Sequence, residues 1–149
     1  MVEVSDEIWE LWSEVSLEVF IGRDSYLLCD GKLLADSYRK FVETASVYAS
    51  ELPFFILTAW NPNAQRLSSR TNHARQARLL LELSNQKVKF WPSRGWSSGW
   101  SESGTAFFAK GFDLVDRLAR DFGQAGYYYI FDDHLWLVDV SRSRPALAL

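Results

Sequence analysis

The run Phe54-Phe55-Ile56-Leu57-Thr58-Ala59 constrains the fold of this chain more than any other stretch. It lies between Pro53 and Trp60-Asn61-Pro62, too short for a stable helix, so it reads as extended. It is apolar at odd and even positions alike, which makes it a central strand covered on both sides. Such a strand needs a sheet around it and enough chain to build one. With 149 residues, 48% apolar and 23% charged, the chain suffices for one globular domain that buries roughly 70% of the surface exposed on unfolding.

Periodicity supplies the other elements. Ser5 caps a short acidic helix with Asp6 and Glu7 in its first turn. Val15, Leu17, Val19 and Ile21 alternate with Glu14, Ser16, Glu18 and Phe20, a strand pattern that pairs through Gly22-Arg23-Asp24 with a second strand over 25–29. Tyr38, Phe41, Val42, Ala45, Tyr48, Ala49 and Leu52 recur at three and four, which predicts a helix over 34–51. Ser68 or Ser69 caps a second long helix reaching Asn85, and residues 88–91 return to extended structure. Strand, helix and strand read as a βαβ unit with parallel strands. Residues 92–99 have loop composition, 102–109 are extended, and Gly111 opens a third amphipathic helix with Gly123 as its C′ residue. A hairpin over 126–131 and 135–140, turned at Asp132-Asp133, closes the chain. The expectation is a single α+β domain over 1–149, with an acidic helix over 1–14, a core over 15–140 and a frayed tail over 141–149. Its mixed sheet, built from the N-terminal hairpin, the βαβ unit and the C-terminal helix plus hairpin, forms a two-layer sandwich.

Charge is unevenly placed. From Gln65 to Arg94 seven cations accompany one anion, Glu82, so the net −3 is the sum of a +6 segment and a −9 remainder. A basic face for an anionic partner and a solvated helix face both fit, and Arg78 with Glu82 has ordinary i,i+4 spacing. The lone Cys29 forms no intrachain disulfide, the N-terminus is acidic where a secretory signal is basic, and the longest charge-free apolar stretches have seven residues. These features point to a cytoplasmic protein without a membrane span. No cofactor is expected, and no metal: Cys29 and His73 lack partners at ligand spacing, and Asp132-Asp133-His134 point alternately at a hairpin turn. Phosphate-loop, nucleophile-elbow and His-Glu-x-x-His patterns are absent.

At Thr58-Ala59-Trp60-Asn61-Pro62 the chain resembles an uncharacterised bacterial family, domain of unknown function 3293. Asn72-His73-Ala74-Arg75, Trp100-Ser101-Glu102-Ser103, Gly111 and Phe122-Gly123-Gln124-Ala125 follow in the family's order, covering about residues 54–130. The resemblance implies soluble bacterial relatives and no established activity. The aromatic insert 93–99, with Trp96, departs from the pattern.

Candidate site residues follow from placement. Asn61 lies just past the end of a central strand, where α/β sheets place ligands, and the next helix turns its N-terminus toward the same region. Asn72 and Arg75 share a helical face, while Arg66 and Arg70 lie in the loop and first turn. With Trp60, Glu102 and Gln124 they compose a crevice suited to an anionic ligand, a nucleotide or RNA phosphate, bound without catalysis. Structural roles stand beside this: Asn61 and Asn72 tying loop to helix, and Glu102 paired with Arg75. Two alternatives remain open: a protein-interaction module anchored by Trp9, Trp12 or Trp96, and a small hydrolase with Glu102 as acid or base.

Overall fold

The computed structural model describes residues 3–31, 33–49, 53–131 and 134–149. Strand β4 (Phe54–Leu57) is buried at every position, and its alternating side chains enter two separate cores. Phe54 and Ile56 join Val15, Leu17, Val19, Phe41 and Ala45 on one face, whereas Phe55 and Leu57 join Leu79, Leu83, Val115 and Leu118 on the other. The first face is covered by α2 (Ser37–Ala49), and the second by α3 (Ser69–Asn85) and α4 (Phe112–Asp121). There are three layers, not the two expected, because a strand apolar on both sides must be covered on both sides.

The other strands are β1 (Ser16–Ile21), β2 (Asp24–Asp30), β3 (Leu33–Leu34), β5 (Phe90–Ser97), β6 (Trp100–Phe108), β7 (Gly126–Phe131), β8 (His134–Asp139) and β9 (Leu147–Ala148). Among the described residues all nine strands form one sheet in the order β3-β2-β1-β5-β6-β4-β7-β8-β9. Every pairing is antiparallel, so the α+β class holds but the expected mixed sheet does not. β4 and β5 run in the same direction through α3, yet β6 lies between them, with Thr105 matched to Leu57 on one side and to Pro92 on the other. The cause is local. Residues 92–97 belong to β5, and a two-residue turn ending at Gly99, with φ +82°, folds β6 directly back beside it. That hairpin occupies the position a parallel β4 would have needed.

Capping follows expectation. The Ser5 side chain accepts from the Ile8 N–H (3.3 Å) at the start of α1 (Asp6–Ser13), and Ser68 accepts from Thr71 (3.2 Å) at the start of α3. Gly123 follows α4 in the left-handed region, at φ +68°. The tail is docked instead of frayed. β9 pairs with β8, and the Leu149 N–H donates to the Leu135 carbonyl (2.8 Å). Arg144 donates to Asp6 (2.7 Å) and to the Val4 carbonyl (3.1 Å), which fastens α1 to the C-terminal segment. The Tyr128 hydroxyl donates to the Trp12 carbonyl (2.7 Å), so α1 lies over the end of the sheet nearest residues 58–61. No helix among the described residues is long and apolar enough to cross a membrane.

Candidate functional site

Where β4 ends, the backbone enters an unusual conformation: Asn61, Asn63 and Ala64 have φ of +48°, +56° and +57°. Left-handed backbone is uncommon outside glycine and asparagine, so the surroundings must hold this loop in place. The holding groups come from α3 and from the chain after α4. The Asn61 N–H donates to Asn72 Oδ1 (2.9 Å), and Asn72 Nδ2 donates back to Asn61 Oδ1 (2.8 Å). Gln76, one turn further along the same face, accepts from the Ala59 N–H (3.0 Å). Between them Arg75 donates through Nε to the Ala59 carbonyl (2.9 Å) and through Nη2 to the Phe122 carbonyl. Gln124 donates to the Trp60 carbonyl (2.8 Å), and the Asn63 N–H to the Gly123 carbonyl (2.8 Å).

Asn61 Oδ1 also accepts from the Leu67 N–H (2.9 Å). With two donors on that oxygen, the amide can turn only its Nδ2 toward Glu102, whose Oε1 accepts at 2.8 Å. Glu102 borders a half-open cavity of 210 Å³ lined by Ile8, Leu11 and Trp12 of α1, by Trp60 and Asn61, and by Trp100 and Tyr128 of the sheet. Burial pushes the Glu102 carboxyl up from 4.5 to about 7, and the Asn61 hydrogen bond opposes that rise. Trp60 and Trp100 border this cavity, and their indole Nε1 atoms are buried and meet no hydrogen-bond partner among the described residues.

Of the eight residues expected at a ligand site, Trp60, Asn61, Arg66, Glu102 and Gln124 line this cavity. Asn72 and Arg75 do not; they stand behind the loop and bind its backbone, and Arg70 is exposed on the first turn of α3. The expected Arg75–Glu102 pair is absent, since two carbonyls take the guanidinium and Asn61 takes the carboxylate. Glu82 pairs with Arg117 (3.7 Å) and not with Arg78. Gln76, which binds the loop, and Trp100, which lines the cavity, stand outside the set expected from the sequence. Four-residue spacing from Asn72 marks the first, and two-residue spacing from Glu102 on one strand face marks the second.

The tryptophans proposed as partner anchors are half-buried against their own chain. Trp9 lies under Arg144 (5.3 Å), Trp96 under Arg94 (4.8 Å), and Trp12 walls the cavity. Much of the basic segment is likewise engaged internally, with Arg78 over Phe122 (5.8 Å) and Lys89 over Trp91 (5.7 Å). Asp132 and Asp133 lie outside the described residues, among which no cluster of three or more His, Cys, Asp or Glu could hold a metal.

The fold and the cavity define an α+β protein with a carboxyl-bearing pocket beside a side-chain-stapled loop. Residues 57–126 match the model of a family described as a protein of unknown function, DUF3293, which supports membership in that family. The matched span contains the loop, its α3 staples, Glu102 and Gln124. No curated protein and no solved structure matches the chain.

Proposed function

We propose that the cavity beside Glu102 binds a small, partly apolar amine, and that the protein is a binding module and not an enzyme. The observation that carries this reading is the Glu102 carboxyl, oriented by Asn61 in a pocket walled by Trp12, Trp60 and Trp100. A ligand complementary to that wall brings an ammonium group to the carboxylate and lays its apolar part against the indole rings. The volume of 210 Å³ is below the roughly 300–1,000 Å³ of drug-sized sites, so the ligand has few heavy atoms.

An anionic nucleotide or RNA phosphate finds less support in this cavity. Arg75 is committed to backbone carbonyls, and Arg66, which does border the cavity, donates to the Gly99 carbonyl (3.0 Å). Proton affinity near neutrality suits Glu102 to acid–base chemistry, which favours the hydrolase alternative. Against it, Glu102 is the sole carboxylate among the described lining residues, and no histidine accompanies it.

Tryptophan fluorescence tests the reading, because three indoles border the cavity. Titration with n-butylamine and 4-amino-1-butanol at about pH 8, where the carboxyl is ionised, gives a saturable change that n-butanol does not give. Glu102→Gln abolishes the response. An equal response to n-butanol, or an unchanged response in the variant, refutes the assignment.

A further inference from the structure

The cavity beside Glu102 carries a second charge, which a simple amine does not use. Among its described lining residues Glu102 is the one anion and Arg66 the one cation, and the rest are apolar, aromatic or neutral. The two charges do not meet each other. Glu102 Oε1 accepts from Asn61 Nδ2 (2.8 Å), while Arg66 Nη2 donates to the Gly99 carbonyl (3.0 Å). That bond uses one of five guanidinium N–H groups, and among the described residues no carboxylate pairs with Arg66.

The fold sets how far apart the two charges stand. Gly99 is bonded to Trp100, the first residue of β6, and Trp100 and Glu102 share a strand face that lines the cavity. At about 3.4 Å per residue, the carbonyl that anchors the guanidinium lies roughly 7–9 Å along the strand from Glu102. The loop fixes the same arrangement from the other side. Arg66 precedes Leu67, whose N–H donates to Asn61 Oδ1 (2.9 Å), and the Nδ2 of that same amide holds Glu102. One asparagine therefore positions both the carboxylate and the segment that bears the cation. Arg66 is exposed and Glu102 half-buried, so the cation stands nearer the mouth.

We infer that the cavity takes a short ω-amino acid, its ammonium on Glu102, its carboxylate on Arg66 and its methylene chain along the tryptophan walls. The inference rests on the amine reading and narrows it. A plain anion meets the Glu102 carboxylate with no positive charge of its own, and a plain amine brings its ammonium near Arg66 with no negative charge to offset it. A zwitterion matches both ends, and a carboxylate suits the planar two-pronged guanidinium.

Tryptophan fluorescence at about pH 8 tests this with 4-aminobutyrate, n-butylamine and butyrate, which share one carbon chain and differ in their charged ends. 4-Aminobutyrate binds roughly fivefold tighter than n-butylamine, and butyrate gives no saturable change. Arg66→Ala, at an exposed position, removes that advantage, whereas n-butylamine binds tighter once the neighbouring like charge is gone. Arg66→Lys keeps the charge without the two-pronged donor and retains part of the advantage. An n-butylamine response with no gain for 4-aminobutyrate overturns this inference and leaves the amine reading standing. Weakening of both ligands by the same factor in Arg66→Ala makes Arg66 a support of the loop and also overturns it. No response to either ligand in the wild type overturns the amine reading, and this inference with it. Butyrate that binds as tightly as 4-aminobutyrate overturns the zwitterion.

Discussion

Glu102→Gln converts the burial of one carboxyl into a measurable pH dependence. In the unfolded chain this group has its ordinary value of 4.5, and in the folded chain burial raises it to about 7. At 1.36 kcal/mol for each tenfold change in proton affinity, the difference corresponds to about 3 kcal/mol. Below pH 4.5 both states hold the proton and the group is neutral toward folding. As pH rises, the unfolded chain releases its proton first, the folded chain binds more protons than the unfolded, and stability falls until pH passes about 7. Glutamine keeps an oxygen for Asn61 Nδ2 and does not titrate. Urea unfolding of both proteins from pH 4.5 to about 8 therefore gives a stability difference that moves by about 3 kcal/mol in favour of the variant, or roughly 6–12 °C in Tm for a chain of this size. All other carboxylates cancel in the comparison. A difference that stays constant with pH, or moves in favour of the wild type, refutes the burial argument.

Three further outcomes test the loop and the core. Asn72→Ala removes three hydrogen bonds and leaves the Asn61 N–H without its acceptor, so it costs about 2–4 kcal/mol by urea unfolding. The exposed Arg70→Ala on the same helix stays within about 0.5 kcal/mol. Gly123→Ala puts a methyl 2.8 Å from Pro62 Cβ at a φ of +68°, and the clash with the left-handed strain together costs about 2–4 kcal/mol. Cys29 is buried, donates to the Val15 carbonyl and has its thiol pushed up to about 12, so maleimide labels it at the rate of global unfolding and not in the native state. Rapid labelling of native protein contradicts that placement.

Local pattern was enough for individual elements and failed where distant segments choose neighbours. β4, α1, α3, α4 and the C′ role of Gly123 all lie close to where alternation, helical spacing and capping put them. The Ser- and Gly-rich composition of 92–99 suggests a loop, but there the strand is held by pairing on both sides: Ser93 meets Val19 of β1 and Gly104 of β6. Interstrand hydrogen bonds are indifferent to side-chain periodicity, so the segment carries no local sign of its conformation. The insertion of β6 between β4 and β5 follows from the same blindness, and so does the expected parallel pair it separates. At the site, the polar types were recognisable but their targets were not. Charge suggests pairing Arg75 with Glu102, whereas the carbonyls of Ala59, before the left-handed loop, and of Phe122, after α4, take the guanidinium. Asn61 reads from the sequence as ligand contact or loop staple; its Oδ1 closes the loop, and its Nδ2 donates to the Glu102 carboxyl at the cavity.

The Glu102 carboxyl is the central element of this account, and a carbon-detected NMR titration of that group addresses it most directly. Without ligand the midpoint lies near 7. With saturating n-butylamine the midpoint falls, because a bound ammonium favours the charged carboxylate. A midpoint in the ordinary carboxylate range, or one that the amine leaves unmoved, contradicts the account.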